Sequence, residues 1–73
     1  MNLAALLVTA RGPRTVTHLA AASGLSRRTI NLYERGTIPK LTTLIKLVDA
    51  LGVSKGDRDA ILAAHMLETA VKS

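Results

Sequence analysis

The 73-residue chain has no cysteine, no phenylalanine and no tryptophan, and its one aromatic residue is Tyr33. Without thiols there is no disulfide to staple a small fold and no thiolate to hold zinc, a usage that suits a reducing cytoplasm. Without Phe or Trp the core must be built from Leu, Ile, Val, Ala and Met. Acids are also scarce: 5 Asp and Glu face 10 Lys and Arg, for a net charge of +5. That excess favours polyanions such as nucleic acid. No apolar run approaches a membrane span. The apolar start "MNLAALLV" lacks the basic region and small-residue cleavage pattern of a secretory leader, so it reads as a first helix.

Catalytic and metal-binding patterns are missing too. His18 and His65 are the only histidines and are far apart in sequence, which argues against a zinc site. Glu34, Asp49, Asp57, Asp59 and Glu68 form no paired-carboxylate motif, and no nucleophile–base spacing or Gly-x-x-x-x-Gly-Lys phosphate loop is present. The chain reads as a binding protein without metal or cofactor, not as an enzyme.

Helical periodicity is frequent and strand signals are not, so the expectation is one all-α domain over residues 1–73 with five helices. The first covers Asn2 to about Ala10, with Asn2 as cap, and "RGPR" at 11–14 stops it. Thr15 caps a short second helix carrying Val16, Leu19 and Ala20, and Gly24 suits the left-handed turn after it. Ser26 caps a third helix with Ile30 and Tyr33 on its inner face, and Gly36 ends it. A fourth, from about Leu41 to Leu51, has the stripe Leu44, Leu47, Val48 and Leu51, closed by Gly52. A fifth starts near Asp57 and reaches about Val71, with Asp57 and Asp59 favouring its N-terminal end and Lys72 the other.

The third helix begins against a local rule. In "SGLSRRTINLYERG" the cap Ser26 is followed at once by Arg27 and Arg28. Cations at the positive end of a helix dipole typically lose a few tenths of a kcal/mol each. Such violations usually serve function. The second and third helices are joined by only about three residues, which forces a steep crossing of the helix-turn-helix kind. Ala20 is small enough for close approach, and Gly24 follows four residues later, where the chain must turn.

Through "TVTHLAAASGLSRRTINLYERGTIPKLTTLIKLVDALGVS", Thr15 to Ser54, the chain resembles the Cro and lambda-repressor helix-turn-helix family, also called the xenobiotic-response-element family. The resemblance implies a lambda-repressor-like fold whose third helix is a recognition helix presented to the major groove of double-stranded DNA. Arg27 and Arg28 then become base readers, since arginine bonds bidentately to O6 and N7 of guanine. Asn31 reads adenine or a phosphate. Leu32 stands where the family often has a polar base reader; it either touches a thymine methyl or is simply exposed.

Phosphate contacts are expected at the edges of the motif: Thr15 and Thr17 at the second helix, Ser26 and Thr29 at the third, and Arg35, Thr37 and Lys40 in the loop that follows. Two further positions depart from the family pattern. Val16 replaces a glutamine that contacts phosphate and braces a base reader. The arginine that pairs with the glutamate at Glu34 aligns here with Thr9, which leaves Arg11 or Arg14 as the substitute.

The last helix is apolar on more than one side. Ile61, Leu62, His65, Met66 and Thr69 make one stripe, and Ala60, Ala63, Ala64, Leu67, Ala70 and Val71 make another. One apolar face suffices for a helix on a small monomer. The second stripe is therefore expected to form a homodimer interface, with residues 57–72 as the dimerisation helix; the alternative is that it covers "LAALLV" of the first helix.

The functional expectation is a sequence-specific, cytoplasmic, nucleoid-associated transcription regulator. It would bind a palindromic operator as a homodimer and repress by steric block, with nothing outside the DNA-binding fold left to sense a ligand. The rival readings are an antitoxin whose C-terminal helix neutralises a toxin, and an interaction module that no longer binds DNA. A membrane-surface role does not fit, because the cations do not line one face of a long amphipathic helix.

Overall fold

Four glycine-bearing breaks and four polar caps divide this chain, and the helices fall between them. The computed structural model describes the backbone of residues 2–72 and the side chains of residues 2–71. It comprises α1 (Leu3–Arg11), α2 (Val16–Ser23), α3 (Arg27–Glu34), α4 (Leu41–Leu51) and α5 (Lys55–Lys72), with no strand among the described residues.

Each of the first three helices starts where a short polar side chain can satisfy a backbone N–H that the helix leaves without a partner. Asn2 Oδ1 accepts from the Ala5 N–H at 2.8 Å, Thr15 Oγ1 from His18 at 3.0 Å, and Ser26 Oγ from Thr29 at 3.1 Å. The turn between α2 and α3 passes through Gly24 at φ +77°, a left-handed conformation that a side chain would strain.

Two boundaries differ from expectation. α1 runs one residue beyond Ala10, to Arg11. α5 starts at Lys55, two residues before Asp57. The reason is Ser54, which caps it: its Oγ accepts from the Asp57 N–H at 3.3 Å and its carbonyl from Arg58 at 2.8 Å. Gly56 sits inside that first turn without breaking it. The side chain of Lys72, expected to favour the far end, lies outside the described residues.

The core is aliphatic, as the composition requires. Leu3 and Leu7 of α1, Leu19 of α2, Ile30 of α3, Ile61 and Ala64 of α5, and Leu44, Leu47, Val48 and Leu51 of α4 form one buried cluster. α2 packs on α3 and α4, while α1 packs on α3 and α5.

Both arginines of "RGPR" are used inside the molecule. Arg11 pairs with Glu34 through two parallel hydrogen bonds, Nε to Oε2 at 2.7 Å and Nη2 to Oε1 at 3.1 Å. Bidentate geometry of this kind is the strong form of an arginine–carboxylate contact. The hydrogen bond to Glu34 raises the Arg11 pKa above its usual value, and burial opposes it. Arg14 donates instead to carbonyls that helix ends leave open: Nη2 to Ala10 at 3.0 Å and to Leu51 at 2.9 Å, and Nε to Arg11 at 3.3 Å. Of the two candidates for the partner of Glu34, the structure selects Arg11. Arg14 instead caps α1 and α4.

The side chains of Arg11 and Glu34 are only 21% and 12% exposed, so removing one strands the other in a poorly hydrated site. Arg11→Ala or Glu34→Ala should cost about 2 kcal/mol, which lowers Tm by roughly 10 °C in a domain of this size. Thermal melts followed by circular dichroism check this; an unchanged Tm for both variants contradicts it.

Candidate nucleic-acid interface

The spacing of α3 separates two faces. Ile30 is buried, and Tyr33 and Glu34 are half-buried against the rest of the molecule. Residues 27 and 28, 31 and 32, and 35 succeed one another one turn apart on the other side. These five, with Val16 and Thr17 of α2, line one concavity of about 650 Å³. Three guanidinium groups therefore share a single open surface.

The side chains of Arg27, Arg28, Asn31 and Arg35 are exposed and make no hydrogen bond or ion pair with the described residues. The nearby carboxylate, Glu34, is already taken by Arg11. Elsewhere Asp49 pairs with Arg58 at 2.6 Å, and Glu68 Oε2 accepts from the Leu3 N–H at 2.5 Å. None of these acids lines the concavity, and its cations keep their full hydrogen-bonding capacity.

The expected phosphate-contacting residues divide into two groups. The hydroxyls of Thr15 and Ser26 are committed to caps, and Thr29 Oγ1 lies 2.8 Å from Ser26 Oγ. At those places the chain offers an anion the first-turn N–H groups rather than the hydroxyls. Thr17, Arg35, Thr37 and Lys40 are exposed.

The loop carrying Thr37 and Lys40 is tied at both ends. The Thr37 N–H donates to Leu32 O at 3.0 Å, and the buried His65 lies with Nε2 2.8 Å from the Pro39 carbonyl. A carbonyl only accepts, so Nε2 carries the proton in this contact. His65 is thus a structural residue that links α5 to the loop.

The sequence pointed to Val16 as an apolar position of the second helix and as a missing glutamine, and did not mark it as a wall of the concavity. Its place as the first residue of α2, beside the N-terminus of α3, was the available signal.

On α5 the two stripes recombine. The side facing the molecule is Ile61, Ala64 and His65, with Leu62 and Glu68 half-buried, whereas Met66 and Thr69 face outward. Of the six residues expected at a dimer interface, Ala64 belongs instead to the monomer core, because it packs with Ile61 in the buried cluster. Ala60, Ala63, Leu67, Ala70 and Val71 are exposed, Leu67 at 69% and Val71 at 85%, and Met66 joins them at 70%. The concavity beside this helix, about 530 Å³, is lined by Leu41, Ile45, Leu62, His65, Met66, Thr69 and Ala70, and is almost wholly apolar.

No helix among the described residues is long and apolar enough to cross a membrane, and none of their His, Asp and Glu residues cluster as metal ligands would. Compared with known proteins, residues 10–57 match the model of a family described as helix-turn-helix. The matched segment runs from the end of α1 into the first turn of α5 and includes the whole α3 surface. No curated protein and no solved structure matches the chain.

Because Arg27 and Arg28 hold nothing together, Arg27→Ala and Arg28→Ala should leave Tm unchanged or raise it slightly, by the few tenths of a kcal/mol recovered from the helix dipole. The same melts that show a loss for Arg11→Ala check this. A drop of about 5 °C or more in either variant would reveal a structural role for these side chains.

Proposed function

The chain belongs to the lambda-repressor type of helix-turn-helix family, a family of DNA-binding transcription regulators, and from that premise we propose that it is a repressor reading double-stranded DNA with the first turns of α3. The observation that carries the reading is the set of three guanidinium groups, Arg27, Arg28 and Arg35, unpaired in one concavity on the outer face of that helix. Arg27 and Arg28 take guanine O6 and N7, and Asn31 takes adenine or a phosphate. The dipole penalty of the arginine pair is small, and bound DNA removes it. Thr17, Arg35, Thr37 and Lys40, with the first-turn N–H groups of the helices that start beside Thr15 and at Ser26 and Thr29, hold the phosphates on either side.

The regulator acts as a homodimer. One eight-residue recognition helix reads few bases, and a two-fold pair reads two half-sites about one DNA turn, roughly 34 Å, apart, which makes the operator palindromic. The exposed apolar residues Ala60, Ala63, Leu67, Ala70 and Val71 support this, since α5 carries more apolar surface than its own monomer covers. Occupying the operator blocks polymerase, so the sign is repression. The setting is the cytoplasm and nucleoid, and no cofactor or metal is required. The same apolar surface suits the alternative in which a toxin or other protein docks on α5.

Gel shifts on a duplex selected from a random pool test the reading. Arg27→Ala and Arg28→Ala should each weaken binding by roughly 1–3 kcal/mol, and the log–log salt slope of the parent should be about 0.9 per phosphate contacted. Binding equal to the parent in both variants would remove the assignment of base reading. Sedimentation of the free protein at micromolar concentration should show a dimer, and Leu67→Glu should leave a monomer; a parent that sediments as a monomer throughout would contradict the α5 interface.

A further inference from the structure

The concavity on α3 is not uniformly polar. Among its arginines, threonine and asparagine stand two apolar side chains, Val16 from α2 and Leu32 from α3. Leu32 is 40% exposed and lies one turn beyond Arg28 and next to Asn31. Val16 is the first residue of α2 and is half-buried, so its outward part forms a fixed wall. An apolar pair gains nothing from phosphate or water. Yet it sits where the proposed base readers converge.

The major groove offers one apolar group at a base edge, the methyl carried at C5 of a pyrimidine; thymine has it, and cytosine acquires it when methylated. Apart from the C–H edges of cytosine and the purines, which add little apolar surface, every other edge atom there is a donor or an acceptor. Placing such an atom against Val16 and Leu32 strips its water and returns no hydrogen bond, which is unfavourable. A methyl placed there is removed from water along with the exposed part of Leu32, which is favourable.

We infer that Val16 and Leu32 form a seat for a pyrimidine C5-methyl group, lying within a base pair or two of the guanine taken by Arg28. This rests on the DNA-reading proposal above and adds a second element to its specificity: guanines are chosen by hydrogen bonds, and the neighbouring pyrimidine by its methyl.

The test uses the full chain and a duplex recovered from a random pool. Each thymine of the half-site is replaced in turn by uracil, which removes the methyl and leaves the hydrogen-bonding edge unchanged. One replacement should weaken binding roughly three- to fivefold, the value of one buried methyl. At the same position 5-methylcytosine is compared with cytosine. A thymine-over-uracil preference without a 5-methylcytosine-over-cytosine preference identifies thymine as the natural source; a preference for the methylated cytosine identifies modified DNA. The ratio should collapse towards one in Leu32→Ala and in the Val16→Ala/Leu32→Ala double variant, with guanine preference retained. Equal binding of the thymine and uracil duplexes at every position overturns the seat while leaving DNA reading intact. So does a methyl preference that survives in Leu32→Ala. Failure to retain any duplex from the pool overturns both.

Discussion

The ion pair between Arg11 and Glu34 joins the last residue of α1 to the last residue of α3, across 23 residues of sequence. It does two things at once. It fixes the C-terminal end of α3 against α1, with Ile30 buried between the helices, so the opposite face of α3 is turned outward. It also occupies the one carboxylate on α3, which would otherwise be drawn towards Arg35, Arg27 or Arg28. Arg14 completes the junction by capping the open carbonyls of α1 and α4. A small aliphatic core with one aromatic ring has little shape of its own to define the angle of α3. The directional contact of Arg11 with Glu34 supplies that definition, and Arg14 holds α1 to α4 beside it.

From this junction follows a division of the surface. The α3 side carries unpaired cations around two apolar side chains, and the α5 side carries exposed Met66, Leu67 and Val71 with little charge. Buried His65 of α5 is hydrogen-bonded to the carbonyl of Pro39, just before Lys40. In the functional reading proposed here, that bond connects the helix that meets a second copy to the loop that grips the DNA backbone.

Much of this was legible in the residues. Asn2, Thr15 and Ser26 announce three helix starts because their side chains compete for orphan N–H groups, and the α4 stripe announces its buried face because 3.6-residue periodicity leaves no choice. The outward placement of Arg27 and Arg28 follows from the phase of Ile30 and Tyr33. Other features depend on distances through space. Whether Arg11 or Arg14 meets Glu34 is decided by the path of the turn at 11–14, which local patterns do not encode. The start of α5 was read near Asp57 because Asp57 and Asp59 favour a helix N-terminus, whereas Ser54 caps the helix upstream of them. Both stripes of α5 are apolar, so periodicity alone could not say which one is buried. The position of α1, recorded in the bond from the Leu3 N–H to Glu68, settles it in favour of Ile61, Ala64 and His65. The hydroxyls of Ser26 and Thr29 were candidates for phosphate, but capping and their mutual contact engage them first.

The central claim is that the outer face of α3 is the surface that meets DNA. It is tested most directly by titrating the isotope-labelled protein with a duplex selected from a random pool and following its backbone amide resonances. Shifts are expected to concentrate at residues 15–17, 26–32 and 35–40, with the Arg27 and Arg28 amides among the largest. Saturable binding with those signals unmoved, and the changes confined to α5, would contradict it.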